Sequence, residues 1–221
     1  MLLQPLQRTK LDDGADEAFY EFPRFVTHVD EGFIQQLTDL YRQQLNASMT
    51  VLDLMSSWVS HLPEEMEFAR VEGHGLNGEE LAKNPRLADY FVQDLNRTPT
   101  LPRPDCSFDA VLIAVSVQYL QYPEAVFSEI HRVLKPGGIA IVSFSNRMFY
   151  QKAIQVWRDG SEASRVALVK RYFNETAGFG TPEVIQQPGM ALPGIAQLLG
   201  FQGSDPFYAV MARRLPESEA A

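Results

Sequence analysis

A carboxylate and three hydroxyls, Asp53, Ser56, Ser57 and Ser60, stand within the stretch VLDLMSSWVSHLP. VLDL is short, apolar and partly β-branched, as a buried parallel strand is, so Asp53 falls at a strand end and the serines in the loop after it. A carboxylate at that point organises a loop by accepting hydrogen bonds, and serine hydroxyls stand in for backbone amides as donors. Ser116, Gln118 and Tyr119 follow the apolar run SFDAVLIAVSVQYL, while Asn146, Arg147 and Tyr150 follow IAIVSF. Both groups belong at the C-terminal edge of a parallel sheet, where open α/β folds bind ligands. Tyr119 is the expected substrate neighbour, and Arg147, at the mouth of the same edge, suits a substrate carboxylate or phosphate. Of the four histidines, only His74, between Gly73 and Gly75, is placed to serve as a general base. No histidine pair has metal-ligand spacing and Cys106 is the single cysteine, so neither a metal centre nor an internal disulfide is expected.

The 221 residues suit one α/β domain. A formal net charge of -9 without a basic cluster argues against a nucleic-acid partner. The lone cysteine points to a reducing, cytoplasmic compartment, and no apolar stretch has the length of a membrane span. Residues 1–29 read as a polar extension that packs late or loosely, 30–214 as the domain, and 215–221 as a flexible acidic tail.

Asp30 precedes apolar residues at helical spacing, Phe33, Ile34, Leu37, Leu40 and Tyr41, and so caps a first helix. MTVLDL, FARVEGHGL, DYFVQDL, SFDAVLIAV and IAIVSFSN read as five strands, with a helix expected between the first two. A helix from Asn77 stops before Pro85, and another, YPEAVFSEIHRVL, begins near Pro123 and ends at Pro136, Gly137 and Gly138. MFYQKAIQVWRDGSEASRVALVKRYFNE predicts two helices broken near Asp159 and Gly160, with Phe149, Tyr150 and Trp157 at core spacing. IAQLLGFQGSDPFYAVMARR predicts a helix, a turn and a last, antiparallel edge strand. Strands alternating with helices require right-handed crossovers and a doubly wound, mostly parallel sheet covered on both faces.

Together VLDL, GHGLNGEELAKN, FVQDL, the block from SFDAV to RVLKPGG, and IAIVSFSN resemble the class I S-adenosylmethionine-dependent methyltransferases with the type 11 domain. The resemblance implies a Rossmann-like seven-stranded sheet, S-adenosyl-L-methionine as cofactor, and methyl transfer to a small molecule. It implies that Asp94 meets the adenine amino group, with Leu95 as the adjacent apolar contact. The family's glycine-rich turn maps onto Met55, Ser57 and Val59, and its ribose-binding acid onto Gly75, so the cofactor loop departs from the pattern. Two readings follow. In one, Ser56, Ser57, Trp58, Gly73, Gly75, Leu76, Asn77 and Ser116 rebuild the cofactor site, with the glycines making room and Asn77 replacing the ribose acceptor. In the other, Trp58 fills the cleft and the fold is a catalytically silent scaffold for a protein partner or a nucleoside ligand. The family needs no catalytic triad, because the methyl group arrives already activated.

Overall fold

The computed structural model describes residues 2–189 and 203–216. Its centre is β1 (Thr50–Asp53), β2 (Arg70–Gly75), β3 (Asp89–Val92), β4 (Phe108–Ala114), β5 (Leu134–Phe144), β6 (Glu183–Gln187) and β7 (Phe207–Arg213). They form one seven-stranded sheet in the order β3-β2-β1-β4-β5-β7-β6. The first five strands pair in parallel and β7 pairs antiparallel with both β5 and β6.

Side chains alternate across each strand, which gives the sheet two apolar faces. On one face Leu52, Val111, Ile113, Ala140 and Val142 share a core with α4 (Pro123–Val133) and α6 (Glu162–Asn174). On the other, Val51, Ala110, Leu112 and Ile141 pack with Phe33, Leu37 and Tyr41 of α2 (Glu31–Gln44). The caps behave as their residue types require. Asp30 accepts from Phe33 N at the start of α2, Asn77 accepts from Glu79 N and Glu80 N at the start of α3 (Gly78–Lys83), and Pro123 opens α4.

Several expectations are corrected. No helix joins β1 to β2: residues 54–69 cross as an irregular loop. The last strand is antiparallel but interior, because the short polar segment EVIQQ pairs outside it as β6. Pro136, Gly137 and Gly138 do not themselves end α4, which stops at Val133, but lie within β5; Gly137 takes a φ of 79° and the register with β4 shifts there, so the glycines form a bulge. Of the helix expected from Met148, only α5 (Gln155–Arg158) forms. The helix expected in IAQLLG lies outside the described residues, as do residues 217–221 of the tail.

The N-terminal segment is not loose. Leu2 and Leu3 are buried in the core beside α4, and Arg8 makes a bidentate pair with Glu124 (Nη1 to Oε2 3.0 Å, Nη2 to Oε1 2.5 Å). Short helix α1 (Asp16–Phe19) follows. Lys152, 1% exposed, lies 3.0 Å from Asp12 Oδ2 and 3.4 Å from Asp16 Oδ1, and Lys10 pairs with Asp16 as well. Buried ions persist only when paired, so this cluster fixes the segment to the domain.

Candidate functional site

Strand order reverses between β1 and β4, and ligands of open α/β sheets bind at that switch point, outside the carboxyl ends of the strands. A cavity of ≈ 350 Å³ opens there, within the size range of small-molecule sites. Its floor is the ends of β1, β2, β3 and β4, and residues 10–29 supply a wall that the sequence reading assigned no part in the site.

The loop after β1 holds its shape through side chains. Met55 adopts a φ of 59°, a left-handed conformation usually left to glycine. Met55 N donates to His74 Nδ1 (3.1 Å) and Ser56 N to His74 O (2.6 Å). Ser56 Oγ donates to Asp53 Oδ2 and Ser57 Oγ to Glu80 Oε2, both at 2.5 Å. Asn84 Nδ2 reaches Ser57 O (3.0 Å) and Ser60 Oγ (2.9 Å). Trp58 does not fill the cleft: its indole Nε1 donates to Val26 O (3.2 Å), its ring meets Phe25 edge-on, and it forms part of the wall.

Two buried groups set the electrostatics of the floor. His74 is 2% exposed; because Nδ1 accepts from Met55 N, Nε2 carries the proton and donates to Gln93 O (2.8 Å). Burial lowers its pKa to about 4. With both nitrogens engaged, His74 is a neutral strut tying the ends of β1, β2 and β3 rather than the general base considered above. Asp53 is buried, which raises its pKa to about 6 against the opposing pull of the Ser56 and Ser60 hydroxyls. Its contacts with the loop are these hydroxyls, in place of the backbone amides that a loop-organising carboxylate ordinarily accepts from.

Asp53, Met55, Ser56, Ser57, Trp58 and Gly75 line the cavity, as do Leu76, Asn77, Asp94, Leu95, Ser116, Tyr119 and Arg147. Gly73, Asn146 and Tyr150 do not. A Cβ on Gly73 would meet Leu87 Cδ1 at 2.3 Å, so this glycine makes room for a partly buried leucine packed against the core. Tyr150 is 55% exposed, with Arg158 over its ring. A Cβ on Gly75 would come within 2.5 Å of Ser56 O, so close backbone approach, rather than ribose room, requires the glycine. Asn77 Oδ1 caps α3 while Nδ2 donates to Tyr20 O (2.8 Å) and Glu21 O (3.1 Å), which leaves its amide no bond for a ribose. Tyr119 OH accepts from Phe149 N (2.8 Å), and Arg147 Nε pairs with Asp205 (2.8 Å).

Asp94 Oδ1 accepts from Asn96 N (2.8 Å), and burial, with Asp16 and Glu17 adding to it, raises its carboxyl pKa. Ser116 Oγ is buried with no hydrogen-bond partner among the described residues, beside Val115, whose φ is 52°. On the N-terminal wall, Arg24 lies over the rings of Phe19, Tyr20 and Phe149 (4.7, 5.6 and 5.5 Å to the centroids). The one hint of this wall was the aromatic and charged run FYEFPRF, which has neither helical nor strand periodicity. Among the described residues no group of acidic, histidine or cysteine side chains could hold a metal, and no helix is long and apolar enough to cross a membrane.

Residues 37–142, from α2 into β5, match the sequence model of a family described as a methyltransferase domain. The whole architecture is similar to that of a putative methyltransferase from Bacillus halodurans, with a TM-score of 0.57 at 12% identity over 84% of this chain and 100% of the other. Residues 37–142 thus match a methyltransferase domain, set in the fold of the class I S-adenosylmethionine-dependent methyltransferases. This methyltransferase fold is also similar to a chain from the Haloferax volcanii complex of the Trm112 methyltransferase activator with a putative methyltransferase. That match has a TM-score of 0.54 and 16% identity, over 84% of this chain and 95% of the other. Haemonchus contortus phosphoethanolamine N-methyltransferase 2, solved in complex with S-adenosyl-L-methionine, gives 0.55 at 17% identity over 82% of this chain and 52% of that one. No curated protein sequence matches the chain.

Proposed function

We propose that this protein is an S-adenosylmethionine-dependent methyltransferase acting on a small molecule, with a cofactor loop held by side chains in place of glycines. The observation that carries the reading is the cavity at the switch point, lined by Asp94 and Leu95 at the β3 end and by Ser116, whose buried hydroxyl has no partner among the described residues. An orphaned buried hydroxyl costs about 1–3 kcal/mol, which a ligand acceptor or donor would offset.

These residues fit the cofactor at its adenine end. Asp94 would take the adenine amino group, Leu95 would pack on the base, and Ser116 would supply a further polar contact. Met55 and Ser56 would border the methionine part. The cofactor, when bound, supplies an activated methyl group on a sulfonium. The protein's share is alignment and exclusion of water, and Tyr20, Trp58 and Phe149 wall the cavity for that purpose. His74 is not asked to move a proton.

A second reading, a nucleoside or protein-binding member without methyl transfer, is favoured by the ribose end, where Gly75 stands in place of an acid and the Asn77 amide is engaged. Calorimetric titration with S-adenosylmethionine and S-adenosylhomocysteine, on the full chain and on Asp94→Ala, separates the two. Micromolar binding weakened more than about tenfold by the substitution, or ~1.4 kcal/mol, is expected. No heat from either ligand on folded protein would favour the second reading.

A further inference from the structure

Among the described residues four cationic side chains line the cavity: Lys10, Arg24, Arg147 and Lys152. Three have carboxylate partners. Lys10 pairs with Asp16, Lys152 with Asp12 and Asp16, and Arg147 with Asp205. Arg24 has none among the described residues. Its backbone N–H donates to Glu80 Oε1 (2.6 Å), and the other oxygen of Glu80 is taken by Ser57 Oγ, so that carboxylate secures the chain at Arg24 without pairing with the guanidinium. Nη2 donates to Phe19 O (2.9 Å), and Nη1 is buried with no acceptor among the described residues.

Phe19, Tyr20 and Phe149 converge on a cation, the arrangement by which proteins bind protonated or quaternary amines. Here the chain's own guanidinium occupies it. An amine entering the cavity would find the ring faces taken and a like charge behind them. A carboxylate would find a buried donor that lacks an acceptor, in a medium where charge-assisted bonds are strong.

Such a cavity meets carboxylates from two sources, the methyl acceptor and the amino-acid end of the cofactor. Phe149 lies in the segment after β5, held by Tyr119 after β4, whereas the residues assigned to the cofactor cluster mainly at the ends of β1, β2 and β3. The guanidinium, over Phe149, therefore faces the acceptor's side, while the Arg24 backbone is tied through Glu80 to Ser57 of the cofactor loop. Much of the lining it shares the cavity with, Tyr20, Val26, Trp58, Met148 and Phe149, is apolar or aromatic. We propose that Arg24 determines substrate specificity, selecting a methyl acceptor that carries a carboxylate on an aromatic or apolar body and rejecting amines. This rests on the methyl-transfer reading above.

The test uses three probes of one size: benzoate, protonated benzylamine and benzyl alcohol. Each is titrated calorimetrically into the full chain with and without S-adenosylhomocysteine, whose own binding is measured first. Benzoate is expected to bind at least tenfold more tightly than either of the others, and Arg24→Gln should abolish that preference while Arg24→Lys keeps part of it. Equal binding of the three probes by the unaltered protein, or a preference for benzylamine, overturns the proposal without relying on any variant. So does an Arg24→Gln protein that binds benzoate normally but S-adenosylhomocysteine tenfold more weakly, since the guanidinium would then serve the cofactor. Absence of S-adenosylhomocysteine binding with the benzoate preference intact would remove the methyl-transfer reading and sustain Arg24 as an anion-selecting residue.

Discussion

Met55, His61 and Val115 all line the cavity with φ between 52° and 59°. Each costs roughly 1–2 kcal/mol, and β-branched Val115 is the least suited to it. Such strain survives where the surroundings over-determine it. For Met55 the determinant is His74, so His74→Leu should leave Met55 N and Gln93 O buried without partners and lower stability in urea unfolding by about 2–4 kcal/mol. The pH dependence has two opposing parts. The His74 pKa falls from 6.5 to about 4 on folding, so its contribution is complete above 6.5 and is lost as pH drops toward 4. The Asp53 pKa rises from 3.8 to about 6, so its contribution is complete below 3.8 and is lost as pH rises through 6. Asp53→Asn removes only the second part. The variant should match the parent near pH 4 and become more stable by up to about 3 kcal/mol above pH 6. A stability difference that stays flat from pH 4 to 7 would rule out burial of Asp53 as its source.

Capped helices and buried strands were legible in the chain because their signals are local: Asp30, Asn77 and Pro123 mark helix starts, and Val51 to Asp53 and Phe108 to Ala114 are apolar runs. The β1–β2 connection was not. The alternation of strands and helices implies an ordinary βαβ unit there, yet SSWVSHLPEEMEFA carries no cap followed by an apolar stripe. The glycines near β2 were recognised as special but given the wrong cause, since only the fold shows that Leu87 and Ser56 O need the space. In β5, a Pro-Gly-Gly sequence is the same local signal for a helix stop and for a bulge. At this scale Asn77 joins two elements, capping α3 and holding residues 20 and 21 of the wall. Asn77→Ala should cost about 0.5–2 kcal/mol as a lost cap. Hydrogen exchange should also quicken over residues 16–26, an effect that loss of the cap alone would not produce.

The molecule as a whole depends on a segment whose partners are far away in sequence: Arg8 meets Glu124 across 116 residues, and Lys152 meets Gly14 O (2.8 Å) across 138. Polar composition without periodicity gave no sign of this, because nothing local specifies such pairs. A chain lacking residues 1–14 would lose the burial of Leu2 and Leu3, worth about 1.5–3 kcal/mol each, together with the Asp12 partner of Lys152. Its urea midpoint should fall by at least the equivalent of about 3 kcal/mol; an unchanged midpoint would show that the segment is a detachable extension after all. The same separations order events in time. Residues 8–24 are synthesised before any strand of the sheet, but contacts that distant are expensive in loop-closure entropy and form late. The wall made first is the wall set last. A nascent chain therefore has no enclosed cavity until residue 152 has been added, and in refolding the sheet should form ahead of the change in Trp58 fluorescence that reports the wall closing.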